Sequence, residues 1–148
     1  MSLRLPYQNL LPAGYKALIA LTGAVKSTTL ETPLVDLVFQ RVSQINGCAY
    51  CVDLHWRDLI AAGETPQRVN SLLTWREVDF FSERERAALH WAERVTSLGN
   101  GHPTDADYAP VREHFSDEEI AALTMAIATM NAWNRLAISM RMPVAQIK

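Results

Sequence analysis

Apolar residues in this chain recur at spacings of three and four and almost nowhere alternate in twos, the pattern of amphipathic helices. Residues 10–25 predict a first helix, with Tyr15, Leu18, Ile19 and Leu21 or Val25 on its apolar side. "TPLVDLVFQRVSQI" predicts a second, with Thr32 as N-cap and Pro33 at the first helical position. Asn46-Gly47 then breaks or redirects the chain. "CAYCVDLHWRDLIAAG" predicts a third helix, stopped by Gly63. The Thr-Pro start recurs at Thr65 and Pro66 in "TPQRVNSLLTW".

"SERERAALHWAERVTSL" opens on a capping box, Ser82 with Glu85. Its run of acids and bases reads as a solvated first turn rather than a partner-binding patch, with Leu89 and Val95 inward. Gly99 to His102 reads as a loop, and a short segment follows around Tyr108 to Phe115. "SDEEIAALTMAIATMNAWNRLAISMRM" opens on another capping box, Ser116 with Glu119, and ends before Pro143. It is apolar on most sides and is expected to be the central, buried helix, with Met125, Met130 and Met140 as core filler. Trp56, Trp75, Trp91 and Trp133 read as packing residues. No hairpin signal, linker or tandem repeat interrupts the pattern. The expectation is an all-α fold of about seven helices, with residues 1–148 forming one domain.

Composition narrows function more than fold. With 49% hydrophobic and 20% charged residues over 148 positions, the chain can bury a core without disulfide staples. A net charge of −2 and the lack of a basic stripe give no electrostatic footprint for nucleic acid. No run reaches the ~18 apolar residues that suggest a membrane span. "LLPAGYKALIALTGAV" is broken by Pro12 and Lys16, and its spacing suits a helix of the fold better than a cleaved signal. The expected setting is cytoplasmic. There thiols stay reduced, and a close cysteine pair is more often catalytic or metal-binding than structural.

Both cysteines, Cys48 and Cys51, fall in "QINGCAYCVDLHW", with His55 four residues beyond. On a helix advancing about 100° per residue, Cys51 lies at roughly −60° from Cys48 and His55 at roughly −20°. All three share the inward stripe with Val52, Leu59 and Ala62, while Asp53 and Arg57 form a surface pair on the far side. Asp58 lies about two turns from Cys51, too far to act on its sulfur directly. Asn46-Gly47 places Cys48 in or near the first turn, where free backbone N–H groups favour a thiolate. Three readings share these residues: a dithiol redox pair with His55 as base, a zinc site, or core cysteines without chemistry. Structural zinc usually takes four ligands, often as two pairs, and His90, His102 and His114 show no paired spacing.

The same residues resemble a known family. "SQINGCAYCVDLH" is similar to the signature of the alkylhydroperoxidase AhpD-like proteins, a branch of the carboxymuconolactone decarboxylase superfamily. "NAWNRLAISMRMPV" resembles the N-x-W-N-R segment of that branch. Helices from about residue 31 to 141 follow the family's order. The resemblance implies an all-α fold, a homo-oligomer such as a trimer or hexamer, and thiol-dependent reduction of hydroperoxides or of a partner peroxiredoxin's disulfide. It implies that Cys51 is the reactive thiolate and passes through a sulfenic acid, that Cys48 resolves it to a disulfide, and that His55 belongs to the proton relay. An external dithiol, a lipoyl group or a thioredoxin-like protein, would reset the pair. No metal or bound organic cofactor is implied. The decarboxylase branch does not depend on this pair, which argues against ring-lactone decarboxylation.

Two positions depart from the family pattern. The family glutamate twelve residues before the first cysteine is Asp36 in this chain, one methylene shorter, and a base must come within about 3 Å of its proton or work through a water. Glu31 is a second candidate base. Tyr50 stands between the cysteines, where the best-known members carry a histidine. Both departures bear on peroxide reduction more than on dithiol chemistry. They leave two alternatives: a protein disulfide reductase or redox sensor, and a helical assembly module with vestigial cysteines. Asn134 and Arg135 are expected to brace either the oligomer or the site.

Overall fold

Every regular element among the described residues, 2–146 of the computed structural model, is helical. Eight α-helices follow one another: α1 (Tyr7–Leu10), α2 (Pro12–Lys26), α3 (Thr32–Asn46), α4 (Ala49–Ala61), α5 (Pro66–Ser71), α6 (Glu83–Thr96), α7 (Asp105–His114) and α8 (Asp117–Met140). Single 3₁₀ segments occupy Leu72–Glu77 and Leu98–Asn100. The eighth helix is α1. Pro12 has no N–H to continue α1, and the residue before a proline is pushed out of the helical region. Leu11 accordingly sits at φ −133°, ψ 66°, and the predicted helix over 10–25 divides there.

The capping chemistry is as predicted at Ser82/Glu85 and Ser116/Glu119, where both reciprocal hydrogen bonds are present. A third box, Thr104/Asp107, starts α7 three residues before the predicted segment. Hydrogen bonds from Thr104 hold the Asp107 carboxyl down to about 2. At α3 the N-cap is Glu31 rather than Thr32, and Pro33 takes the second helical position.

The central helix is α3, not α8. Every residue from 34 to 40 is buried, and α3 packs against α4, α6, α8 and the 3₁₀ segment Leu72–Glu77. One apolar cluster joins α3 to α6 and α8 through Val38, Phe39, Val42, Ala88, Trp91, Leu123 and Ile127. A second lies on the opposite side of α3, around Leu37, Leu59, Leu72 and Trp75. Two-sided burial explains why α3 carries apolar residues at consecutive positions rather than in one stripe. α8 is apolar on most sides yet not buried on all of them. Met130 fills the core, but Met125 is 49% exposed. Trp56, read as packing, is 40% exposed on the outer face of α4. The other three tryptophans are buried or partly so, and each indole N–H is satisfied: Trp75 by Glu93, Trp91 by Thr124 and Trp133 by Thr22.

Candidate redox site

The site is built at the joint between α3 and α4. Cys48 N–H reaches back to the Ser43 carbonyl at 3.0 Å, and Gly47 N–H to Gln44 at 3.2 Å. With Gly47 at φ 69°, this is a Schellman turn, which reverses the chain in two residues. It puts Cys48 at the N-cap of α4 rather than inside its first turn. The Cys48 sulfur accepts the Cys51 N–H at 3.3 Å, as a capping hydroxyl would. The two Cα atoms are 5.3 Å apart and the sulfurs are joined as a disulfide.

The turn is pinned from behind by α8. Asn46 Nδ2 donates to Asn134 Oδ1 at 2.9 Å and to Asn131 Oδ1 at 3.0 Å. Asn134 is fully buried and donates in turn to Ser43 Oγ at 3.1 Å, on the residue whose carbonyl holds Cys48. Asn134 therefore braces the cysteine turn. Arg135 is exposed and bonds to Asn131 within its own helix.

The two sulfurs differ in what they face. Cys48 is 1% exposed and Cys51 4%. A cavity of about 420 Å³ has Cys51 and His55 in its wall, together with Lys26, Leu54 and Trp133, and Cys48 is not part of that wall. Tyr50 lines the same space and packs against Cys48, Cys51 and Ala137. Sequence reasoning missed the contribution of α1 and α2, which lie before the motif-bearing stretch and supply Tyr7, Tyr15 and Lys26. The available signal was α2 itself, apolar on nearly every face with its one late cation at Lys26. Met142 joins the wall because Arg141, left-handed at φ 57°, turns the chain back there.

His55 is buried, with its ring 5.3 Å from that of Phe39. Its Nδ1 lies 3.4 Å from Asp58 Oδ2, so the carboxylate judged remote from the sulfurs belongs to the histidine instead. Burial lowers the His55 pKa and outweighs the neighbouring Asp58 and Asp36 carboxylates, which raise it. The ring is thus neutral at pH 7 and able to accept a proton.

That sign makes stability depend on pH. An unfolded histidine takes up its proton near pH ~6.5, while His55 in the fold stays neutral to lower pH. The unfolded state then binds more protons, and stability falls as the pH drops through that value. Thermal unfolding between pH 7 and 5 should show this loss in the wild type and less of it in His55→Gln. Equal losses would remove His55 from the account.

Asp36 is buried, and the Lys26 ammonium lies 2.7 Å from its Oδ1. Lys26 also sits 5.7 Å over the Phe39 ring. Among the described residues no hydrogen bond joins Asp36 or His55 to either sulfur. Glu31 does not serve as a second base at the site: Arg84 binds its carboxylate and keeps its pKa low.

Comparison with known proteins places this geometry in context. The carboxymuconolactone decarboxylase family profile matches residues 12–94. The uncharacterized protein YdfG of Bacillus subtilis is 38% identical over 140 residues, 95% of either chain. A protein of unknown function from Agrobacterium tumefaciens, named as a candidate AhpD-type antioxidant-defence protein, has a solved structure that superposes with a TM-score of 0.91. It is 41% identical, over 97% of this chain and all of its own. The debrominase Bmp8 shares the fold at 20% identity, with a TM-score of 0.84 over 93% of this chain and 74% of its own. An all-helical chain with this match over more than half its length, and such a relative over nearly all of it, belongs to the carboxymuconolactone decarboxylase family, on its AhpD-like side.

Proposed function

We propose that this protein is a thiol-dependent oxidoreductase that reduces organic hydroperoxides in an antioxidant role. The observation that carries this reading is the apolar cavity that meets Cys51 and not Cys48. In the reduced protein, His55 takes the Cys51 proton. The thiolate attacks the outer peroxide oxygen and becomes a sulfenic acid, and an alcohol leaves. Cys48, 5.3 Å away between Cα atoms, condenses with the sulfenic acid to the disulfide and releases water. The Asp58 carboxylate, 3.4 Å from Nδ1, favours a proton on that nitrogen through its charge, without a well-aligned hydrogen bond, and leaves Nε2 as the base. Asp36 acts through its field on His55, balanced by Lys26, rather than by touching a sulfur.

Burial of the pair bears on what resets it. A lipoyl group on its slender arm can enter a 420 Å³ apolar cavity, whereas the sulfurs of a thioredoxin-like protein meet a closed surface at 1% and 4% exposure. No bound metal or organic cofactor takes part. Resetting by cellular dithiols suits a cytoplasmic setting, and no described helix is long and apolar enough to cross a membrane. A homo-oligomer is part of the reading. The exposed side of α2, with Ala13, Ala17, Ala20 and Ala24, is apolar surface of the kind an interface covers.

The test compares turnover of cumene hydroperoxide with dihydrolipoamide as reductant against reduction of an insulin disulfide. The expected result is peroxide turnover at least about tenfold faster. Faster reduction of the protein disulfide would transfer the function to the disulfide-reductase alternative, and inactivity in both would favour an assembly module. Sedimentation at micromolar concentration checks the oligomer, which a monomeric mass would exclude.

A further inference from the structure

Three phenols share the wall of the cavity beside Cys51: Tyr7 from α1, Tyr15 from α2 and Tyr50 from α4. The Tyr7 and Tyr15 rings meet edge to face at 6.0 Å, and Tyr15 meets Trp133 in the same manner at 5.5 Å. The polar tip of Trp133 is already used, donating to Thr22 Oγ1 at 2.8 Å. The phenol tips are not. Among the described residues none of the three hydroxyls has a protein hydrogen-bond partner, although all three side chains are half-buried. None of the three hydroxyl oxygens is sealed inside the protein, so each is free to bond a molecule that enters the cavity. Around them the wall is apolar, with Ile19, Leu54 and Met130. Burial, with Tyr15 and Tyr50 nearby, raises the Tyr7 pKa, so Tyr7 keeps its proton at neutral pH.

We propose that Tyr7, Tyr15 and Tyr50 are a donor set that binds the oxygen end of a compact apolar hydroperoxide and protonates the oxygen that leaves. The inference rests on the peroxide-reducing reading of Cys51 and deepens it. The Cys51 thiolate attacks the terminal oxygen of R–O–OH. The O–O bond breaks, Cys51 is oxidised to the sulfenic acid, and R–O⁻ departs with the electron pair. A phenol gives it a proton, forming R–OH, and the phenolate recovers that proton from His55, which had taken it from the Cys51 thiol. The aromatic and aliphatic wall holds R, so hydrogen peroxide, which has no R, gains nothing from it. Tyr50 thereby supplies an O–H where the best-known relatives have a histidine.

The test measures binding apart from turnover. Calorimetry compares 2-phenylpropan-2-ol, the alcohol that cumene hydroperoxide would leave, with cumene, the same shape without the hydroxyl. The variants are the three single Tyr→Phe changes and the triple variant. The ratio of alcohol to hydrocarbon affinity should fall about tenfold or more from wild type to the triple variant, with a graded loss in the singles. The singles carry the test if the triple does not fold. An unchanged ratio overturns the proposal. A ratio that falls as expected, in a protein whose thiols cumene hydroperoxide does not oxidise, upholds the recognition and overturns the peroxidase reading alone.

Discussion

Replacing Cys51 with serine will slow oxidation of the reduced protein by cumene hydroperoxide by about 10³-fold or more. Cys48→Ser, by contrast, will keep the first step within about tenfold and stop at the sulfenic acid. Two features of the site pull in opposite directions. The Cys51 N–H points at the Cys48 sulfur, which favours negative charge on Cys48. Only Cys51, however, meets the cavity. A thiolate that cannot touch peroxide does not react with it, so access outweighs the capping hydrogen bond. Stopped-flow tryptophan fluorescence gives the rates, and mass spectrometry with a sulfenate trap gives the products. Cys48→Ser should gain one trap adduct and Cys51→Ser none. The inverse pattern would exchange the two roles.

Phe39→Ala will destabilise the fold by about 3–5 kcal/mol. Phe39 is fully buried in the middle of α3, in the larger apolar cluster, so its removal costs transfer free energy and leaves a cavity. It also supports the site, since its ring lies beside His55 and beneath the Lys26 ammonium. Urea unfolding gives the stability, read as a shifted midpoint at constant slope. Phe39→Leu, which keeps most of the volume, should lose far less. Peroxide oxidation of Phe39→Ala at low temperature, where it stays folded, should slow as the His55 ring loses its support. A loss below about 1 kcal/mol would mean that the neighbouring side chains close the space.

The serine-led capping boxes, the Thr65-Pro66 start and the Asn46-Gly47 break were all legible in the chain, and the Thr32-Pro33 start was off by one residue, because each depends on residues within about one turn. So was the shared side of Cys48, Cys51 and His55, since 100° per residue fixes it whatever surrounds the helix. The offset of Cys48 from the first turn to the N-cap is a matter of one residue, within the usual uncertainty of helix ends. What α3 buries was less legible. Apolar residues at consecutive positions suit either a buried helix or a loosely patterned one, and only the packing of α4, α6 and α8 around α3 shows which helix is central.

The Asp53–Arg57 pair within α4 was legible, but charge pairs between helices were not, and of the cavity wall only the apolar character of α2 was. Lys26 and Asp36 lie ten positions apart on different helices, and Tyr7 meets Trp133 through Tyr15 across most of the chain length. Nothing local distinguishes Lys26 from Lys16, or Tyr15 from Tyr108. Local sequence set the helices, their caps, the turn that delivers Cys48 and the side on which both thiols lie, because backbone hydrogen bonding and helical period are short-range. The tertiary structure decided which thiol meets a cavity, which cation meets Asp36 and which phenols stand beside Cys51. Burial and charge proximity depend on helices far apart in sequence coming together.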